Sequence, residues 1–158
     1  MFSPFKKQPV EITPYRCDFG SKLLPEADNG PSSMAEALAM LRQMQIMGIT
    51  QCITAVTIGS HNAKTHTPQA ISGWLHRLRA EAEKAGIGIQ LDVAGRYLLD
   101  NEFEALLTSR TLLPLPGNRL LLDNSPGLHG SAMHKLLFQL QMAGYKPVMA
   151  QVELYPRD

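Results

Sequence analysis

Hydrophobic positions along the chain follow two alternating rhythms. Short runs rich in β-branched residues are separated by longer stretches in which apolar residues recur three or four apart. The first rhythm predicts strands and the second predicts helices. Residues 15–19 read as a short first strand that runs into a polar loop. A helix follows, capped by Ser32 or Ser33, with Glu36 in its first turn and Met34, Leu38, Leu41, Ile46 and Met47 along it; Gly48 ends it. Residues 51–58, Q-C-I-T-A-V-T-I, form a buried strand. After a polar loop at 59–66, Thr67 and Pro68 open a second helix as cap and first-turn proline. Its apolar face is Ile71, Trp74, Leu75, Leu78 and Ala82, and it stops at Gly86.

The same alternation continues with a strand at 87–94, an acid-capped helix at 100–109 and a strand at 119–123. A helix at 131–143, ended by Gly144, and a strand at 147–152 complete it. Strict βα alternation predicts an α/β protein with a parallel sheet and its helices packed outside, as a barrel segment or an open sheet. In such folds the functional site lies at the carboxyl ends of the strands. The chain has no internal repeat and no low-complexity stretch.

Composition narrows the picture. The chain's 158 residues suit a single domain, and 44% hydrophobic with 18% charged residues is ordinary for a globular protein. A formal net charge of +1 gives no electrostatic reason to expect nucleic acid or an anionic membrane as partner. No apolar run is long enough to span a membrane, and the start, Met1 to Lys7, lacks the pattern of a secretory signal. Cys17 and Cys52 both fall in strand-like segments, so two buried thiols in a reducing cytosol are expected. Neither has an arginine six positions on, so a cysteine-nucleophile phosphatase loop is absent.

Several motifs carry a resemblance. Residues 18–31 read D-F-G-S-K-L-L-P-E-A-D-N-G-P, residues 48–54 G-I-T-Q-C-I-T, residues 93–103 V-A-G-R-Y-L-L-D-N-E-F, and residues 120–125 L-L-L-D-N-S. Residues 138–150, F-Q-L-Q-M-A-G-Y-K-P-V-M-A, form the longest of them. In order and spacing these are similar to the bacterial PHP-type, metal-dependent tyrosine phosphatases of capsule and exopolysaccharide operons. The resemblance implies a truncated PHP/TIM-like barrel of about five strands at residues 15–158, after an N-terminal extension at 1–14. It also implies that a closing D-x-H metal motif belongs to a part of the family fold beyond this sequence.

The departures fall on the chemistry. At positions where the family has metal ligands, this chain has Gly20, Lys22, Thr57, Arg96, Asp123 and Gln151, and only Asp123 keeps the acidic charge. The arginine expected to hold phosphate is replaced by Leu154, while Glu153 and Tyr155 remain. The family reaction uses divalent ions such as Mn, Mg, Zn or Fe to polarise phosphate and generate hydroxide. Glycine supplies no ligand, and a fixed cation repels a metal. The expectation is therefore a catalytically inactive pseudophosphatase without a metal cofactor. A residual oxygen-only site from Asp18, Asp28, Asp123 and Glu153, supporting weak phosphatase activity, is the rival reading. An inert scaffold is a third.

Lys22, Thr57 and Arg96 fall at predicted strand ends, where two cations and a hydroxyl suit a phosphate or phosphotyrosine. The bland alternative is that the cations pair with Asp18, Asp28 or Asp123. His61, His66, His76, His129 and His134 lack the spacing of a helical metal pair and are expected at the surface or in caps. Ser125 and Ser131 have no supporting triad. Met34, Met40, Met44 and Met47 are expected as core or interface filler. An open half-barrel leaves sheet edges and a sheet face uncovered, which predicts a homodimer. By resemblance, the expected setting is the cytoplasm, and the expected partner is the tyrosine-phosphorylated tail of a polysaccharide-assembly kinase.

Overall fold

A computed structural model describes residues 16–27, 29–123 and 130–150. Five parallel strands lie in the sheet in chain order: β1 (Cys17–Phe19), β2 (Gln51–Ile58), β3 (Gln90–Leu98), β4 (Arg119–Asp123) and β5 (Lys146–Met149). The helices between them are α1 (Met34–Ile46), α2 (Pro68–Lys84), α3 (Asn101–Ser109) and α4 (Gly130–Met142). Sequential neighbours joined by helical crossovers make a curled half-barrel.

The core lies between the sheet and its helices. Cys52, Val56, Tyr97 and Leu122 on the strands pack in one cluster with Leu41, Ile71, Phe103 and Leu140 from the four helices. Strand alternation sends the intervening residues to the opposite, concave face. Ala55, Ala94 and Leu121 are buried there, outside the helix-facing cluster. No helix among the described residues is long and apolar enough to cross a membrane.

Ser33 caps α1 by accepting from the Glu36 amide, and Thr67 caps α2 by accepting from the Ala70 amide. The predicted β2 and β4 have their expected limits. β3 does not: it begins at Gln90 rather than 87 and continues through Gly95, Arg96 and Tyr97 to Leu98. Its start is delayed because Gly86 takes φ +70° and the Gly88 amide donates to the Gln45 side chain instead of a strand. Its continuation depends on Gly95. A Cβ there would lie 2.5 Å from the Tyr97 hydroxyl oxygen, so the glycine permits the strand instead of ending it.

Two burial expectations are corrected. Cys17 is exposed, because the three-residue edge strand β1 turns it away from the helix layer; Cys52 is fully buried. His66 is buried rather than at the surface, with its ring edge-on to Trp74 at 5.0 Å between centroids. His61, His76 and His134 are exposed, and His129 lies outside the described residues. Of the methionines on α1 and its C-cap, Met34 and Met44 pack against the core, while Met40 and Met47 are exposed.

Candidate functional site

Register brings three of the singled-out residues together. Thr57 on β2 pairs with Arg96 on β3, and Arg96 pairs with Leu121 on β4, two positions before Asp123. All three side chains therefore share the concave face near the carboxyl ends of the strands. The Arg96 Nη2 donates to the Thr57 hydroxyl at 3.1 Å. Its Nε lies 3.0 Å from Asp123 Oδ2 in an ion pair, without the alignment of a good hydrogen bond. The pair is largely removed from solvent, with side chains 19% and 10% exposed. Asp123 Oδ1 is buried and has no hydrogen-bond donor among the described residues.

Lys22 enters from the loop after β1, which β2 fixes in place. The Gly20 amide donates to the Ile53 carbonyl at 2.9 Å with φ +95°, a conformation that favours glycine. The buried Thr54 hydroxyl donates to the Ser21 carbonyl at 2.6 Å and accepts from the Leu23 amide at 3.1 Å. Lys22 is thus held between two anchored neighbours, half-buried, and its charge reaches Asp123. Burial raises the Asp123 carboxyl above the usual range, and Arg96 and Lys22 pull it back only in part. The cluster of Lys22, Arg96 and Asp123 carries one net positive charge when Asp123 is ionised.

Two further residues shape the rim: Asn62, which the sequence reading did not single out, and Asp100, which it took only as a helix cap. Asn62 accepts from the Gly59 amide at 2.9 Å and donates to the Thr57 carbonyl at 3.0 Å, folding the loop after β2 onto the strand that carries Thr57. Asp100 caps α3 through Oδ1 and receives the Ser60 amide on Oδ2 at 2.7 Å, tying that loop to α3. An asparagine just past a strand and an aspartate before a helix were the available signals.

Asp18 stands apart from these groups. It pairs with Cys52, on the helix-facing side of the sheet, and accepts a weak bond from the Cys52 thiol at 3.4 Å. Burial, and then Asp18, push that thiol far up, so Cys52 stays protonated and inert. Asp28, Gln151 and Glu153 lie outside the described residues.

The site side chains among the described residues do not fit a divalent metal. No group of three His, Cys, Asp or Glu side chains converges among the described residues. Beside Arg96 at the carboxyl ends of the strands, the Asp123 carboxylate is engaged by a guanidinium. A divalent ion about 4 Å from that cation would be repelled by about 8 kcal/mol at an effective dielectric of about 20. The arrangement suits a group that accepts hydrogen bonds and carries negative charge.

Comparison with known proteins places this geometry. The family profile for capsular polysaccharide synthesis, CpsB/CapC, matches residues 16–157. A Staphylococcus aureus protein named putative tyrosine-protein phosphatase CapC is 24% identical over 137 residues, covering 86% of this chain and 53% of that protein. The fold is similar to that in crystal structures of YwqE from Bacillus subtilis and CpsB from Streptococcus pneumoniae, which are described as unique metal-dependent tyrosine phosphatases. The TM-score is 0.71 at 24% identity, over 84% of this chain and 54% of the solved one. The chain thus spans about half the length of these relatives. A parallel half-barrel similar in fold to the solved relatives, matched by the family profile over nearly its whole length, means that this chain belongs to the CpsB/CapC family of capsular polysaccharide synthesis.

Proposed function

We propose that this chain is a non-catalytic member of its family, which holds a phosphorylated tyrosine instead of hydrolysing it. The observation that carries this reading is Arg96, a guanidinium held by Asp123 and Thr57 at the carboxyl ends of the strands. A cation fixed there is incompatible with the metal-assisted hydrolysis implied by the relatives' printed descriptions. It is compatible with a phosphate, whose oxygens take guanidinium and ammonium donors without a metal. Lys22 supplies the second cation and Thr57 a hydroxyl. The kinase tail of the capsule-assembly machinery is the partner this reading favours, which puts the chain on the cytoplasmic side.

The test has two arms. In the first, turnover of an aryl phosphate is measured with Mn, Mg and Zn added. The expected outcome is no metal-dependent activity and less than about a tenth of an ion retained per chain. Metal-dependent turnover that is lost in Asp123→Asn would establish the weak phosphatase instead. In the second arm, a phosphotyrosine peptide is titrated into the protein, and binding is expected to be lost in Arg96→Ala. A folded protein that neither turns over nor binds the peptide would be the inert scaffold.

A further inference from the structure

We infer that Asp123 is an internal competitor for the anion this site receives, so that the site is restrained by its own carboxylate. The inference rests on the phosphate-binding reading above and adds its regulation. A carboxylate and a phosphate oxygen ask for the same guanidinium edge. Asp123 already occupies that edge, with Oδ2 3.0 Å from Arg96 Nε.

Three features make this carboxylate displaceable. The contact with Arg96 is a charge contact through one nitrogen, not the paired fork that holds a carboxylate most firmly. The other carboxylate oxygen, Oδ1, is buried and receives no donor among the described residues. Burial also works against the ionised form of Asp123. The anchorage of Arg96 does not depend on Asp123 alone, because Nη2 is separately bonded to Thr57 at 3.1 Å. When the carboxylate gives way, the guanidinium keeps its place on β3 and presents its freed edge.

An incoming phosphate must therefore move Asp123 aside or lie against a like charge, and either lowers affinity. Removing the charge while keeping the shape relieves both. If Asp123 instead served mainly to aim Arg96, the same change would weaken binding, so the two roles have opposite signatures.

Calorimetric titration of phenyl phosphate, with inorganic phosphate as a second probe, into the wild type, Asp123→Asn and Asp123→Ser tests this. The asparagine variant is expected to bind phenyl phosphate at least about tenfold more tightly than the wild type, the scale of a relieved like-charge contact. The serine variant should change in the same direction, and adding Arg96→Ala to either should abolish the gain. Circular dichroism and thermal melts establish that the variants are folded. Binding by the wild type that is unchanged or weaker in both folded variants would overturn the competitor role alone. Failure of the wild type and both variants to bind either probe would overturn the phosphate-binding reading, and this inference with it. Variants that do not fold would make Asp123 a structural residue and equally end the proposal.

Discussion

At the scale of single residues, the buried Arg96–Asp123 pair and the buried Tyr97 set the response to mutation and pH. Arg96→Ala leaves Asp123 with its charge buried and its main counter-charge gone. Breaking such a pair from one side costs about 3 kcal/mol. The sign with pH follows from Asp123, whose carboxyl is already raised by burial and rises further without Arg96. The loss in Arg96→Ala is therefore largest near neutral pH and shrinks as pH falls through the carboxyl range and Asp123 takes up a proton. Urea unfolding of wild type and variant at about pH 7 and about pH 4 checks this. An equal loss at both would mean that the packing of Arg96 matters more than its charge.

Tyr97 behaves in the opposite half of the pH scale. Its ring is fully buried against Phe103, its hydroxyl accepts from the Leu113 amide at 2.6 Å, and burial pushes its pKa up to about 12. The unfolded chain ionises this phenol near the ordinary value of about 10. Between those values the folded state binds the extra proton, so stability is full below the lower value and declines towards the upper. Tyr97→Phe should remove that part of the alkaline decline, and should cost about 1–2 kcal/mol at neutral pH because the Leu113 amide loses its acceptor. Thermal melts of both proteins from neutral pH to the alkaline limit read out both effects.

At the scale of elements, the loops after β2 and β3 share one side chain. Asp100 caps α3 with one oxygen and receives the Ser60 amide with the other. Asp100→Ala should cost about 2 kcal/mol, the larger part from the cap. Asp100→Asn should retain the cap through its carbonyl oxygen and lose the Ser60 contact. Chemical denaturation of the two variants separates the roles, and equal losses would show that the cap is the minor part.

Asp100 was legible as a cap in the sequence, as were Thr67–Pro68 and the limits of β2 and β4, because these signals are local. What escaped the sequence reading depends on partners distant in the chain. Gly95 reads as a strand breaker until Tyr97 is seen to need the room beside it. His66 sits in a polar stretch yet is buried by Trp74 from the next helix. Cys17 looks like a core residue but lies on an edge strand, turned from the helices. The site follows the same division. Motif order marked Lys22, Thr57, Arg96 and Asp123 as altered positions. Only the register of β2, β3 and β4 shows that Arg96 takes Asp123 as its partner while Asp18 faces the other side of the sheet.

At the scale of the whole molecule, the sheet has two sides of different character. Its helix-facing side is closed by all four helices, while its concave side carries the half-exposed Phe19 on β1. Among the described residues no strand pairs with the outer edge of β1 or of β5. Unpaired edges beside exposed apolar side chains favour association with another strand-bearing surface. We propose that a second copy of the chain is the partner, joined through the β1 edge and the exposed Phe19 beside it. The exposed Met40 and Ile46 on α1, with Met47 at its C-cap, offer a competing surface. Sedimentation velocity at about 10 µM, a concentration at which a standard-size interface persists, should give a dimer. Phe19→Asp should then shift the protein to monomer, and Met47→Asp should not. The reverse pattern would move the interface to α1, and a wild type that is monomeric at that concentration would end the proposal.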